Sequence, residues 1–185
     1  MLFRSWSGGF SEQEIDRIRE IGDALTITPA IIDGGNVINN IRTSKVGWIK
    51  NEGESAWIYD KLAYIARRLN SQFFNFDLSG FCEDMQYTIY DGNEEGHYTW
   101  HTDLISNSNN SFLPPRKLSM VLQLSDPSEY EGGCFETWTR PEPNQAPKEK
   151  GLIVAFPSWT LHRVAPVTSG TRKTLVVWIC GKQFV

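Results

Sequence analysis

A His-x-Asp pair, His101 and Asp103, is the first feature of this chain with the chemistry to bind a metal ion. On a β-strand, residues i and i+2 point to the same face, so this imidazole and carboxylate can converge on one point. His162 follows an apolar run and a short turn, and it is the third candidate ligand. Two imidazoles and one carboxylate on one side of a metal ion leave its other positions open. This facial triad is typical of non-haem Fe(II) sites that react with O2.

Arg172 lies ten residues after His162 and begins the next predicted strand. On that strand it shares a face with Thr174, Val176 and Trp178. A guanidinium inside an apolar barrel is unfavourable unless an anion pairs with it, and the strand itself offers no carboxylate. A bound acid could supply the anion, since the guanidinium fork holds a carboxylate through two parallel hydrogen bonds. The alternative is that Arg172 is a surface residue beside a turn.

Each of the three histidines, taken alone, is more often a core or surface residue than a metal ligand. The metal hypothesis depends on the joint occurrence of the His-x-Asp pair, the distant histidine and the following arginine. His97 does not fit this set and is interpreted as an ordinary loop or strand residue. Zinc is an alternative metal, since it also accepts two imidazoles and a carboxylate, although the helical HExxH motif of zinc hydrolases is absent from the sequence.

The elements expected to position these residues are helices in the first third of the chain and strands in the rest. A capping box at residues 11–14 predicts one helix, and an apolar stripe over residues 55–73 predicts a second. The stretch 40–49 looks extended. Period-two patterns and short apolar runs predict strands at 85–90, 117–124, 132–138, 151–156 and 174–180. Turns are predicted at 91–93, 131–133 and 169–170, and the order of elements favours a jelly-roll or cupin-like sandwich.

Length and composition limit the classes of function. The 185 residues suit one domain, and a net charge of −4 argues against nucleic acid as a partner. No apolar run is long enough to predict a membrane span, and the N-terminal residues do not resemble a secretory signal. Three cysteines without a close pair indicate a reducing, cytoplasmic compartment, with each cysteine a small buried side chain. No feature specifies an oligomeric state.

Three stretches resemble the 2-oxoglutarate- and Fe(II)-dependent oxygenases of the prolyl 4-hydroxylase type, including bacterial PKHD-type hydroxylases. They are YDGNEEGHYTWHTD (90–103), RKLSMVLQLSDPSEYEGGCFE (116–136) and GLIVAFPSWTLHRVAPVTSGTRKTLVVW (151–178). The resemblance implies a mainly β fold with flanking helices, a double-stranded β-helix over residues 84–180. Residues 1–83 would be its helical support region, and residues 1–185 a single domain.

The resemblance also implies roles for individual residues. His101, Asp103 and His162 would hold Fe(II), and Arg172 would bind the distal carboxylate of 2-oxoglutarate. Tyr90 would bond to the same carboxylate. Tyr98 and Tyr87 are alternatives, although a straight strand would point Tyr98 away from His101. Thr174, on the same face as Arg172, is a further predicted cosubstrate contact.

The implied reaction uses O2 and 2-oxoglutarate, yields succinate and CO2, and hydroxylates a substrate C–H bond, with ascorbate as a further candidate cofactor. The leading substrate is a prolyl residue in a peptide or protein, and a free amino acid or other small metabolite is the alternative. A cupin-like module that binds metal or sugar without redox chemistry is an alternative of another class. Trp138 and Tyr98 are predicted substrate contacts, and the loop 104–115 is predicted to close over the substrate.

Overall fold

The computed structural model describes residues 3–31, 37–104, 114–138 and 141–183. Its helices are α1 (Glu12–Asp23) and α2 (Ala56–Leu69), and a π-helical turn, Asn70–Phe74, continues α2. Three short 3-10 turns are Gly53–Ser55, Gly92–Glu94 and Pro127–Glu129. The strands are β1 (Arg4–Trp6), β2 (Thr28–Pro29), β3 (Arg42–Thr43), β4 (Lys45–Ile49), β5 (Leu78–Phe81), β6 (Met85–Asp91), β7 (His97–His101), β8 (Arg116–Gln123), β9 (Tyr130–Gly132), β10 (Phe135–Trp138), β11 (Pro143–Gln145), β12 (Ile153–Pro157), β13 (His162–Val164) and β14 (Val167–Gly181).

These strands form two antiparallel sheets. Within the described ranges the larger sheet has the order β1-β12-β8-β14-β6-β4-β2, and β5 and β9 also pair with β14. The smaller sheet has the order β11-β10-β13-β7-β3. Side chains from both sheets, among them Val121 and Phe156 of the larger and Phe135 and Val164 of the smaller, form one buried cluster between them. The sheets therefore pack face to face over a shared interior.

The two predicted helices are confirmed, and they cover the outer face of the larger sheet. Ser11 and Glu14 form the capping box at the start of α1, with each side chain bonded to the other residue's backbone N–H. Ile15 and Ile18 of α1 are buried in the same core cluster as Leu62 of α2. No helix in the described part of the chain has both the length and the apolar character that crossing a membrane requires.

Strand β14 is the centre of the larger sheet, because it pairs with β6 and β8 along most of its length. Its alternate side chains serve two different environments. The set that packs against the helices is Leu175, Val177 and Ile179. The set that lines the interior cavity is Arg172, Thr174, Val176 and Trp178. The predicted common face of these four residues is therefore confirmed.

Two details of the sequence-based description are wrong. The first third is not only helical, because β1 pairs with β12 and thereby joins the larger sheet, beside the expected extended stretch at β3 and β4. The predicted turn at Ser169–Gly170 is also incorrect, since both residues lie inside β14. A register shift between Val167 and Ser169, with Gly170 at φ +71°, makes this point an irregularity within a continuous strand.

The expectation of three reduced cysteines is also wrong, because Cys82 and Cys180 form a disulfide with their Cα atoms 5.7 Å apart. The two residues are 98 positions apart in sequence, so spacing alone gave no sign of the pair. Cys134 is the free cysteine of the described residues. The disulfide removes the argument from cysteine usage for a reducing compartment, and it fixes the end of β14 to the segment that precedes β6.

Replacing Cys82 with Ala is expected to lower the free energy of unfolding by about 2–4 kcal/mol, because the cross-link restricts the unfolded chain over a long loop. Urea unfolding of the variant and of the wild type without reductant measures this difference. Cys134→Ala is the matched control. Reductant should lower the free energy of unfolding of this variant as it does for the wild type.

Thiol labelling in denaturant provides a direct check on the pairing. The wild type should show one reactive thiol before reduction, from Cys134, and all three after it. Three reactive thiols before reduction would show that the bond does not form.

Candidate metal centre

The three predicted metal ligands come together at the boundary between β7 and β13. His101 ends β7 and His162 begins β13, and the two residues are direct partners across this strand pair. Asp103 follows β7, where its backbone N–H donates to the Ser158 carbonyl at 2.9 Å. The Nε2 atoms of both histidines lie 3.7 Å from Oδ1 of Asp103. One ligand atom from each residue can thus be chosen so that all lie within 4.8 Å of one another, a spacing that can hold a metal ion.

Hydrogen bonds orient both imidazole rings toward this point. Nδ1 of His101 donates to the Thr99 carbonyl at 2.7 Å, and Nδ1 of His162 donates to the Thr160 carbonyl at 2.8 Å. A carbonyl oxygen can only accept, so the proton of each neutral ring is on Nδ1. Nε2 is therefore left with its lone pair for a metal ion, as in many histidine sites whose second nitrogen is held by a backbone carbonyl.

The pKa values of His101 and Asp103 are both lowered, for different reasons. Burial, together with the neighbouring His162, lowers the pKa of His101 to about 3, so its ring is neutral at physiological pH. Burial alone would raise the pKa of Asp103, but the two imidazoles and the Ser119 hydroxyl outweigh it and the pKa is lowered. A neutral imidazole and an ionised carboxylate are the forms that bind metals.

Tyr98 lies on the same side as the metal ligands, contrary to the straight-strand expectation. The register of β7 against β13 shifts between the pairs His162–His101 and Val164–Tyr98, so β7 has three steps where β13 has two. The extra residue turns the Tyr98 ring onto the His101 ring, with centroids 3.5 Å apart and planes 16° from parallel. Tyr98 also lines the cavity, which leaves its predicted contact with substrate open to test.

A cavity of about 400 Å³ opens beside the three ligands. Its volume is within the range of small-molecule sites. Apolar side chains form much of the wall nearest the imidazoles, namely Val121, Phe135, Phe156 and Val164. The rings of Phe135 and Phe156 lie 5.4 Å and 4.6 Å from that of His162, centroid to centroid. These side chains limit the access of water to the ligands.

Arg172 faces this cavity and is 1% exposed. Its Nη2 donates to Oε1 of Gln123 at 3.0 Å, whereas Nε and Nη1 have no hydrogen-bond partner among the described residues. A buried cation with two nitrogen atoms that lack a hydrogen-bond partner is unfavourable by several kcal/mol unless an anion completes its bonding. The alternative of a surface arginine is therefore excluded, and the guanidinium has the geometry to receive a carboxylate.

Sequence reasoning missed the residues that surround this guanidinium. Gln123 on β8 was predicted only as part of a strand, although a polar residue on the face opposite Leu122 and Leu124 could have indicated an interior group. The Tyr130 ring lies near Arg172, whose charge opposes the rise in the pKa of Tyr130 that burial causes. A side chain at Gly133, at φ +60°, would collide with Val167 and crowd Arg172 and Tyr130, so the absence of a side chain there lets these residues pack closely.

The other predicted contacts differ in whether they line the cavity. Tyr90 and Thr174 both line it, and the Arg172 guanidinium lies 5.4 Å from the Tyr90 ring centroid. Tyr87 is on the opposite face, where its hydroxyl donates to Asp23, so it is not a candidate. Trp138 is 44% exposed and packs edge-to-face on Trp100, away from the cavity lining.

Two further expectations concern the neighbourhood of the ligands. His97 is not in the cluster, and its Nδ1 bonds to the Glu95 carbonyl, as expected for an ordinary strand residue. The predicted closing loop, 104–115, lies for the most part outside the described residues, which resume at residue 114.

Comparison with known proteins identifies the family. Residues 85–180, just over half of the chain, match the family model described as the 2OG-Fe(II) oxygenase superfamily, where 2OG is 2-oxoglutarate. The chain belongs to this superfamily. A PKHD-type hydroxylase of Synechococcus sp. (strain CC9311) is 35% identical to this chain over 107 residues, which are 55% of the chain and 46% of the relative. The chain therefore matches about half the length of that curated relative.

Two solved structures share the fold of this chain. A prolyl-4-hydroxylase from Pseudomonas putida superimposes with a TM-score of 0.75 at 18% identity, over 98% of this chain and 93% of that one. A Trichoplax adhaerens prolyl hydroxylase, in complex with a peptide fragment of the hypoxia inducible factor oxygen degradation domain, gives 0.75 at 16% identity, over 97% and 83%. The likeness confirms the predicted double-stranded β-helix.

The residues of this chain fit the two groups that the family name implies. Two imidazoles with free Nε2 atoms and an ionised carboxylate are a donor set that suits Fe(II) and leaves positions open. The unpaired N–H groups of Arg172 suit a carboxylate of 2OG.

Changing His162 to Ala is expected to weaken metal binding by more than about 100-fold, since changes outside the ligand shell already cost 10- to 100-fold. Anaerobic titration of Fe(II), or of Mn(II) as a stable substitute, measures the affinity. His97→Ala is the matched control, because it removes the same side chain from outside the cluster. Equal losses in the two variants would contradict the assignment.

Proposed function

We propose that this oxygenase hydroxylates a substrate C–H bond with O2 and 2OG, releasing succinate and CO2. One observation carries the proposal. The convergent ligands His101, Asp103 and His162 line the same cavity as Arg172, whose Nε and Nη1 have no hydrogen-bond partner among the described residues. A module that binds metal or sugar without redox chemistry would not require a buried cation of this kind.

Each residue has a defined task in this proposal. His101, Asp103 and His162 hold Fe(II), which with O2 and 2OG supplies the oxidising power when bound. Arg172 holds the distal carboxylate of 2OG, and Tyr90 and Thr174 lie beside it as further contacts. The carbonyls that accept from the two Nδ1 atoms keep both rings in the metal-binding tautomer. The apolar wall keeps bulk water away from the reacting groups.

The preferred substrate is a prolyl residue of a peptide or protein. Two observations support it: both solved structures that share the fold are prolyl hydroxylases, and the one from Trichoplax is in complex with a peptide fragment. A free amino acid or another small metabolite is the competing substrate, since the cavity of about 400 Å³ is large enough for one.

The domain organisation is part of the same proposal. Residues 1–185 form one oxygenase domain, with residues 84–180 as its β-helix core and residues 1–83 as support. Backbone pairing supports a single domain, since β1 is bonded to β12 and β4 to β6, so residues 1–83 extend the core sheet.

Arg172→Gln is expected to raise the KM for 2OG by about 10- to 100-fold, because hydrogen bonds to a charged group contribute about 1.5–3 kcal/mol. Succinate formation measured against 2OG concentration gives this value. Lys173→Gln is the matched control: it removes one positive charge at the next position, where the side chain pairs with Asp23 on the helix side. An unchanged KM in Arg172→Gln would contradict the assignment of this residue.

A screen of proline-containing peptides against free amino acids tests the substrate. Mass spectrometry should detect the addition of one oxygen atom to a peptide, with succinate formed in equal amount and with ascorbate present as reductant. Hydroxylation of a free amino acid and of no peptide would replace the prolyl-peptide proposal with the metabolite alternative.

A further inference from the structure

A second buried arginine faces the same cavity. Arg42 on β3 is 8% exposed, and its Nε donates to Oγ of Ser44 at 2.8 Å while its Nη2 donates to Oε1 of Gln86 at 2.9 Å. Both partners are uncharged. No carboxylate pairs with Arg42 among residues 3–31, 37–104, 114–138 and 141–183. The cost of burying this charge is therefore not offset by any described ion pair.

The other arginines of the cavity wall differ in this respect. Arg116 is held by Glu83 through two hydrogen bonds of 2.6 Å, so its charge is already balanced. Arg172 is assigned to the distal carboxylate of 2OG. Arg42 alone, of the arginines that line the described cavity, has neither a carboxylate nor an assigned ligand.

The position of Arg42 separates it from the site assigned to 2OG. Arg172 pairs with Tyr90 across β6 and β14, whereas the partner of Arg42, Gln86, lies four residues along β6 opposite Val176. Four residues of strand span about 13 Å, so the residues that contact the two guanidinium groups lie at different points along β6.

Arg42 is nevertheless close to the metal ligands. Its guanidinium lies 4.7 Å from the Tyr98 ring centroid, and the Tyr98 ring is itself in stacking contact with His101. The Tyr98 ring therefore contacts both the Arg42 guanidinium and a metal ligand.

The charges expected in the filled site indicate which ligand would suit Arg42. The groups expected there are Fe(II), ionised Asp103, Arg172 and the dianion of 2OG. Their charges sum to zero, so none of them balances the charge of Arg42.

We propose that Arg42 binds a carboxylate of the primary substrate, which makes the substrate a carboxylic acid oxidised close to its acid group. This inference rests on the proposed function. The acid group belongs to a free amino acid, to a peptide C-terminus or to an acidic side chain beside the oxidised residue.

Matched acids and amides provide the test. The full chain, loaded with Zn(II) and 2OG so that no turnover occurs, is titrated by calorimetry with three pairs of probes. These are free amino acids and their amides, blocked proline dipeptides with a C-terminal acid or amide, and blocked Pro-Glu and Pro-Gln amides. In at least one pair the acid should bind about tenfold or more tightly than its neutral partner, and the pair concerned identifies the source of the carboxylate.

Arg42→Gln should reduce this acid-to-amide ratio to about one, while 2OG still binds. Arg67→Gln is the matched control, since it removes the same charge from an exposed position on α2 and should keep the ratio. Arg42→Lys is a second variant in case the Gln variant does not fold. It keeps the charge but not the two-pronged geometry, and the ratio should fall at least threefold.

The inference would be overturned if acid and amide bound equally in every pair, or if the acid-to-amide ratio were unchanged in Arg42→Gln or Arg42→Lys. In either case, continued binding of 2OG would leave the proposed function intact. Absence of 2OG binding would instead overturn the proposed function and the inference together.

Discussion

The pairing of His101 with His162 across β7 and β13 is the constraint on which the site depends. Two imidazoles can share a metal ion only if their strands are neighbours and their register is fixed to the residue, because a slip of one position would turn one ring to the opposite face. The smaller sheet supplies this register, and the carbonyls of Thr99 and Thr160 then fix each ring's proton. Asp103 needs no strand pairing of its own, since one hydrogen bond to the loop at Ser158 positions it.

The larger sheet makes a different contribution. It carries Arg172 at the centre of the molecule, with helices on its outer face and the cavity on its inner face. Because both faces are covered, the guanidinium is shielded from water and its attraction for an anion is correspondingly strong. The metal ligands come from the smaller sheet and the loop beyond it, and the anion-binding groups from the larger sheet. The space between the two sheets is where the two kinds of chemistry meet.

Much of this arrangement could be predicted from local patterns. Period-two alternation places Arg172 and Thr174 on one face, the His-x-Asp spacing places two ligands together, and the capping box at Ser11 predicts α1. Features that depend on pairing between distant segments could not be predicted in this way. The orientation of Tyr98 depends on an irregularity against β13, the disulfide joins positions 98 residues apart, and β1 is a strand only because β12 lies beside it. Arg42 was missed because it is notable for being buried without a carboxylate partner among the described residues, which depends on the fold.

The two-sided character of β14 has a consequence for how such a protein can diverge. Positions that hold the scaffold and positions that meet ligands alternate along a single strand, so the two roles are separated by one residue although they share one backbone. Inherited variation at the inner positions can alter chemical selectivity while the hydrophobic packing beneath it is conserved. Related proteins can therefore bind different reactants on the same framework, and the differences between them would be concentrated at every second residue of the strand.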